Sequence, residues 1–184
     1  WTIRARRPMR SPRPRKGARD AAVTIPLVAA DGAVLEQTED RPSSQSVTLQ
    51  KRAALLFRAI VEDDPARARS VFFPLVAYRK VKASPNPERD YQRRLIANFD
   101  RDIHTYHRNL GEGAKRARFI DLYVPEDGAR WMKPGSEGNK IGYWRVLRSK
   151  LRYADAEGNQ QSLELTSLIS WRGEWYVVHV NGFE

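Results

Sequence analysis

The C-terminal half of the chain is a succession of short segments that alternate or are rich in β-forming residues. Five strands are predicted, over residues 118–124, 129–133, 140–155, 160–172 and 174–180. The peptides between them (PEDG, PGSEGN, AEGN and RG) supply glycine and proline for tight turns. The last three strands are long and closely connected, which predicts an antiparallel meander. A strand of that length has to bend, and we predict the bend near Gly142 or Ser149.

The preceding segment has a helical period instead. Ser46 precedes a stretch in which every third or fourth residue is apolar, which predicts a helix with one buried stripe. After Asp64 and Pro65 a short helix is predicted over 65–73, and the alternation in LVAYRKVK predicts a strand over 75–82. A third helix is predicted from about Glu88 to Leu110. The residues that form its buried face are Tyr91, Leu95, Phe99, Ile103, Tyr106 and Leu110.

Helices followed by a run of antiparallel strands define an α+β protein. We therefore predict three N-terminal helices packed on a strongly curved, mainly antiparallel sheet that forms a cone. Residues 46–184 make up the predicted domain, and residues 1–45 a basic, proline-rich, disordered arm and polar linker. Residues 9–30 within that arm are similar to a bacterial secretory signal, which suggests export; a plain basic tail is the alternative.

The formal net charge of +11 belongs mainly to the arm. Residues 1–19 contain eight basic side chains and no acidic one, whereas the rest of the chain is nearly balanced. Nucleic-acid binding is therefore predicted, if at all, only through residues 1–19. The chain has no cysteine, which excludes disulfides, thiolate metal sites and cysteine nucleophiles, and no segment approaches the length of a membrane span.

The order of elements resembles the nuclear transport factor two-like superfamily, whose fold is the cystatin-like cone. The strand GYWRVLRSKLRY (142–153) and the final hairpin WRGEWYVVH (171–179) resemble uncharacterised bacterial members of this superfamily in particular. The superfamily includes ketosteroid isomerases, polyketide cyclases, dehydratases and many non-catalytic binding domains. The resemblance therefore implies a fold and leaves the function open.

Six residues are candidates for lining a ligand pocket in the cone: Tyr78, Asp121, Tyr143, Arg145, Trp175 and His179. The aromatic residues among them have a structural alternative, which is to fix strand register by cross-strand packing. Arg145 shares a predicted face with apolar residues and would need a partner if it is buried. For an isomerase or cyclase, Asp121 is available by type as the base and Tyr78, Tyr123 or Tyr143 as the oxyanion donor.

One helical trio has metal-ligand spacing but the wrong orientation. Asp100, His104 and His107 stand at i, i+4 and i+7, yet they project away from the apolar stripe of their helix. We therefore predict no metal site and no cofactor.

The leading functional hypothesis is a non-enzymatic binding or accessory domain. It would take a small apolar or anionic ligand, or a protein partner, at the open end of the cone. A cavity below about 300 Å³, or one filled with aromatic side chains, would argue against small-ligand binding. One alternative is a lyase or isomerase of the polyketide cyclase or ketosteroid isomerase type, which needs an acid of raised pKa in that cavity. The second alternative is nucleic-acid binding through the basic arm. A homodimer formed through the sheet is a further prediction.

Overall fold

The structure is a computed structural model that describes residues 26–182. The basic arm over residues 1–19 and most of the signal-like segment 9–30 lie outside the described residues, so those predictions stay predictions. Within the described part of the chain, no helix is long and apolar enough to cross a membrane.

Helix α1 spans Val47–Glu62 and has the buried stripe that the sequence predicts. Its N-cap is Ser46, whose hydroxyl accepts a hydrogen bond from the Leu49 N–H at 3.2 Å. The helix ends at Asp63, which adopts the left-handed conformation with φ of 55°. Only a 3₁₀ turn, Pro65–Ala68, follows.

The segment between α1 and the third helix differs from the prediction in two places. Helix α2 occupies Leu75–Val81, where a strand was predicted. Its buried residues are Ala77 and Tyr78 and, one helical turn later, Val81. The helix predicted over 65–73 is wrong beyond Ala68, because the next residues pair with the sheet. Val177 N–H donates to the Val71 carbonyl and Phe73 N–H donates to the Val177 carbonyl, both at 2.9 Å.

Helix α3 consists of three consecutive pieces: Pro87–Asp90, a π-helical stretch Tyr91–Ile96, and Ala97–Leu110. Its N-cap is Asn86, whose side chain accepts from the Arg89 N–H at 3.0 Å. The predicted apolar face packs into the core, where Phe99 is only 1% exposed. A 3₁₀ turn, Gly111–Arg116, leads into the sheet.

The sheet contains five antiparallel strands: β1 (Arg118–Tyr123), β2 (Arg130–Met132), β3 (Tyr143–Ala154), β4 (Gln160–Trp171) and β5 (Glu174–His179). They lie in the order β1-β3-β4-β5. Strand β2 also pairs with β3, at the N-terminal end of β3, whereas β1 pairs with its C-terminal end. The predicted meander of the last three strands is confirmed. The chain is thus an α+β protein with three helices and a strongly curved antiparallel sheet, a cone-like fold.

The sheet bends at irregularities in two of its strands, β3 and β5. In β3, Arg148 takes a left-handed conformation with φ of 59°, beside the predicted bend position Ser149. In β5, Val178 is an extra residue, because the register with β4 shifts between Ser167 and Leu168. Arg148 lies between Leu147, which pairs with Ser167 of β4, and Ser149. Ser167 also marks the register shift with β5, so the two irregularities are neighbours. Such irregularities bend strands and increase their local twist.

Alternation along β3 predicts a core face with Tyr143, Arg145 and Leu147 and a solvated face with Val146. Tyr143 and Arg145 line a cavity between the sheet and the helices, but the two residues next to the bend depart from this pattern. Leu147, predicted to face the core, is 38% exposed, whereas Val146, predicted to face solvent, is fully buried. Residues 36–41 of the predicted linker contact this end of the sheet, on the side of Trp144. The Trp144 indole N–H donates to the Glu39 carbonyl at 2.9 Å, and the Gln37 side chain donates to the Ser170 carbonyl at 3.1 Å.

We predict that replacing Arg148 with glycine stabilises the protein. A left-handed conformation costs an L-residue about 1–2 kcal/mol, and glycine avoids this cost while losing more backbone entropy on folding. We expect Arg148→Gly to raise the free energy of unfolding by about 0.5–1 kcal/mol, measured by urea denaturation.

The matched control is Lys150→Gly, two residues along the same exposed face and outside the left-handed region. This variant should be destabilised by about 0.5–1 kcal/mol, because glycine inside a strand has only the entropic cost. Equal destabilisation of both variants would show that Arg148 is not strained.

Candidate functional site

A cavity of about 250 Å³ lies between the helices and the bent sheet. Its walls come from the end of α2, the π-helical part of α3, the loop before β3, and strands β3, β4 and β5 on the β2 side of the bend. Four of the six predicted pocket residues line it together: Tyr78, Tyr143, Arg145 and His179. The other lining residues are Val81, Lys82, Arg94, Leu95, Glu137, Asn139, Ser167, Ile169 and Val178.

The remaining two predicted residues lie elsewhere. Asp121 is on β1, which pairs with β3 beyond the bend, and its carboxylate forms a two-point ion pair with Arg152 on the surface. Trp175 is fully buried in the core, and its carbonyl accepts from Arg52. For Trp175 the structure therefore favours the packing role that the sequence left as its alternative.

One wall of the cavity carries a tyrosine, a carboxylate and an arginine that bind each other. The Tyr78 hydroxyl donates to Asp90, and Arg94 donates to the same carboxylate from Nε at 2.9 Å and from Nη2 at 3.0 Å. The Arg94 guanidinium lowers the pKa of Asp90 to about 2, so that this carboxylate stays ionised at neutral pH. Burial, assisted by the Asp90 charge, raises the pKa of the Tyr78 hydroxyl well above its usual value.

The opposite wall repeats this combination. The Tyr143 hydroxyl donates to Glu137 Oε2 at 2.7 Å, and the Arg145 guanidinium pairs with Oε1 of the same carboxylate. Glu137 is thus the ion-pair partner of Arg145, whose side chain is half-buried. Burial raises the pKa of Tyr143, and the nearby Tyr78 adds to the effect.

The loop over residues 133–140 holds Glu137 in place. Asn139 is only 3% exposed; its amide donates to the Lys133 and Ile141 carbonyls at 3.0 and 2.9 Å, and its side-chain oxygen accepts from the Glu137 N–H at 2.9 Å. The loop also binds the end of α2, where Lys140 N–H donates to the Val81 carbonyl at 2.6 Å. This glycine-rich loop, predicted to be a turn between strands, therefore forms a wall of the cavity.

His179 lies on β5 next to the bulge and faces Ser167 across the strand pair. The Ser167 hydroxyl and His179 Nδ1 are 2.8 Å apart. Burial, assisted by the positive charge of Arg94, lowers the pKa of His179 to about 4. The imidazole is therefore neutral at neutral pH, and it contributes a polar but uncharged group to the cavity.

Sequence reasoning missed three charged residues of the cavity, namely Lys82, Arg94 and Glu137. A signal for Arg94 was present, because it stands four residues after Asp90 on a predicted helix and such pairs face each other. Lys82 and Glu137 gave no comparable signal. Their position depends on α2 being a helix and on the loop folding back against its end.

The predicted Asp/His trio on α3 makes separate contacts. Asp100 pairs with Arg69 at 2.7 Å, His104 Nδ1 lies 2.6 Å from Asp63, and His107 Nδ1 lies 2.9 Å from the Ile60 carbonyl. Among residues 26–182, no three His, Cys, Asp or Glu side chains are grouped so that they could hold a metal ion.

The outer face of the sheet is the surface predicted for a homodimer. Two exposed apolar side chains of β1, Ile120 and Tyr123, lie beside the Asp121–Arg152 ion pair. The dimer stays a prediction.

We predict that His179 makes the stability depend on pH in mild acid. Its folded-state pKa of about 4 lies below its ordinary value of 6.5, so between these values the unfolded chain binds a proton that the folded chain does not. Stability should therefore fall as the pH is lowered from about 6.5 to about 4. Urea denaturation of the wild type and of His179→Gln across this range measures the effect.

The His179→Gln variant keeps a neutral polar side chain but loses the titration, so its stability should fall less over the same range. The other ionisable groups are common to both proteins and cancel in the comparison. Parallel pH profiles for the two proteins would contradict the assignment of a neutral, buried His179.

Comparison of this chain with models of known protein families, with curated proteins and with solved structures finds no match. The relation to the nuclear transport factor two-like superfamily therefore stays a proposal that depends on the resemblance of sequence segments and on the cone-like fold.

Proposed function

We propose that this protein is a non-enzymatic binding domain that holds a compact small ligand in the cavity between α2, α3 and the bent sheet. The observation that supports this proposal is the composition of the cavity wall. Apolar side chains cover most of it, and a few polar groups are fixed in place by hydrogen bonds. This combination is typical of small-molecule sites, where apolar contact supplies affinity and fixed polar groups supply orientation.

Three of the apolar side chains of the lining come from different elements. Leu95 projects from α3, Ile169 from β4 and Val178 from β5. Each square ångström of apolar surface that a ligand removes from water contributes about 25 cal/mol. A ligand that touches all three side chains would gain affinity without any ordering of the protein, because these elements belong to the folded core.

The size of the cavity restricts the ligand. The volume of about 250 Å³ is below the limit of about 300 Å³ set above for a small-ligand site. The proposal therefore holds only for a ligand smaller than the drug-sized molecules from which that limit comes. This comparison argues against large ligands such as steroids or polyketides. It leaves room for a ligand with the volume of about eight water molecules, at ~30 Å³ for each.

The carboxylates around the cavity support a binding role over catalysis. An isomerase or cyclase needs a carboxylate that can take a proton from the substrate. Asp121, the candidate base by residue type, lies outside the cavity, and Glu137 and Asp90 each bind an arginine and a tyrosine. Proton transfer to either carboxylate would disrupt an ion pair.

We predict that the neutral probe benzamide binds in the cavity and that a larger side chain in the cavity prevents binding. Two-dimensional NMR titration should show shifts at Leu95, Ile169 and Val178. Ile169→Phe should weaken binding at least tenfold, which corresponds to about 1.4 kcal/mol, because the new ring occupies the space of the ligand. Val178→Phe tests the same point from β5.

The matched control is Leu163→Phe, which adds a ring of the same size to β4 away from the cavity lining. This variant should bind like the wild type, and thermal melts establish that all variants are folded. Mass spectrometry should recover the probe unchanged. Shifts confined to other regions, or equal binding by Ile169→Phe and wild type, would contradict the proposal.

A further inference from the structure

We infer that the ligand of this cavity carries one compact anionic group, a carboxylate or a group of similar charge and size, and that Lys82 binds it. This inference rests on the proposed function and specifies the chemical class of the ligand.

The charge around the cavity favours an anionic ligand. Asp90 and Arg94 cancel each other, and Glu137 and Arg145 do the same, since each carboxylate contacts one guanidinium. Tyr78 and Tyr143 are neutral and donate hydrogen bonds to Asp90 and Glu137, respectively. His179 is uncharged at neutral pH. Lys82 is the remaining charged residue of the lining, so the lining and its ion-pair partners have a net charge of +1.

The position of Lys82 makes its ammonium group available to a ligand. Lys82 follows the last residue of α2, and its N–H donates to the Tyr78 carbonyl at 2.8 Å, which fixes its backbone. The side chain is half-buried against the loop, where Nζ lies 3.5 Å from the position that a β-carbon on Gly138 would occupy. Over residues 26–182 its ammonium group makes no hydrogen bond or ion pair with another residue. Its charge helps to lower the pKa of Asp90, but Tyr78 and Arg94 already bind that carboxylate.

The other lysine of the same helix shows that this arrangement is specific to Lys82. Lys80 does not line the cavity, and its Nζ binds the Glu36 carboxylate at 2.7 Å. The two lysines are thus two residues apart and project to different surroundings. Lys80 has an acidic partner, whereas Lys82 lies at a cavity where the carboxylates of the described residues already bind arginines.

The apolar wall determines the rest of the ligand. Leu95, Ile169 and Val178 offer no hydrogen-bonding side chain, so the part of the ligand that contacts them should be apolar. The ligand class is therefore a small acid with one anionic end and one apolar end. The phenols of Tyr78 and Tyr143 donate to carboxylates, and the Arg94 and Arg145 guanidinium groups are each neutralised by one carboxylate. Lys82 is therefore the cation of the lining that is not neutralised by an ion pair within residues 26–182.

We predict that the protein distinguishes three probes of the same shape: benzoate, benzamide and benzamidinium. Isothermal titration at neutral pH and low salt should give benzoate about tenfold higher affinity than benzamide, since a charge-assisted hydrogen bond at a partly exposed site contributes about that much. Benzamidinium should bind more weakly than either. Lys82→Met should lower the affinity for benzoate to that for benzamide, whereas the matched control Lys80→Met should leave it unchanged.

A charge reversal keeps the inference falsifiable if the methionine variant folds poorly. Lys82→Glu should reverse the preference, so that benzamidinium binds more tightly than benzoate. Equal binding of benzoate and benzamide by the wild type would overturn the anion inference and leave the proposed binding function intact. Binding of none of the three probes would overturn both.

Discussion

The bend in the sheet is the constraint on which the cavity depends. At Arg148 and at the extra residue Val178 the strands change direction, and the two halves of the sheet serve different purposes. Beyond the bend the sheet packs closely on the helices, as in the contact between the rings of Phe57 and Tyr153, whose centroids are 5.3 Å apart. On the other side the cavity lies between the sheet, the end of α2 and the π-helical part of α3. A flat sheet of the same strands would leave no room for a ligand between the two layers.

The helices are held against the bent sheet by a buried arginine. Arg52 of α1 is only 1% exposed, and its guanidinium donates to the Trp175 carbonyl at 3.0 Å and to the Ser70 carbonyl at 3.2 Å. It also pairs with Glu174 at 3.3 Å and stacks over the Tyr176 ring at 4.3 Å. Burial of a charge is costly unless it is paired and hydrogen-bonded, and here the contacts join α1, the segment before α2 and β5. The same strand then continues to His179 in the cavity wall.

The sequence predicts the elements better than it predicts the site. Turn residues and the period of Tyr91, Phe99 and Ile103 were sufficient for the meander and for α3, because these signals are local. Residues 75–82 were misassigned, since Val76, Tyr78 and Val81 are β-forming by type while tertiary packing made the segment a helix. That error hid Lys82, and Glu137 was hidden because its role depends on a loop that closes on α2. Asp121 was misplaced because the strand pairing puts β1 beyond the bend.

The bend thus lies beside a small cavity whose charge suits one anionic group. A crystal structure of the complex with 4-bromobenzoate, whose bromine atom is located by its anomalous signal, tests this claim most directly. The account predicts a single bromine position in the cavity between Leu95 and Ile169, with the carboxylate within about 3 Å of Lys82 Nζ. An unoccupied cavity with the compound bound on the outer face of the sheet would contradict it.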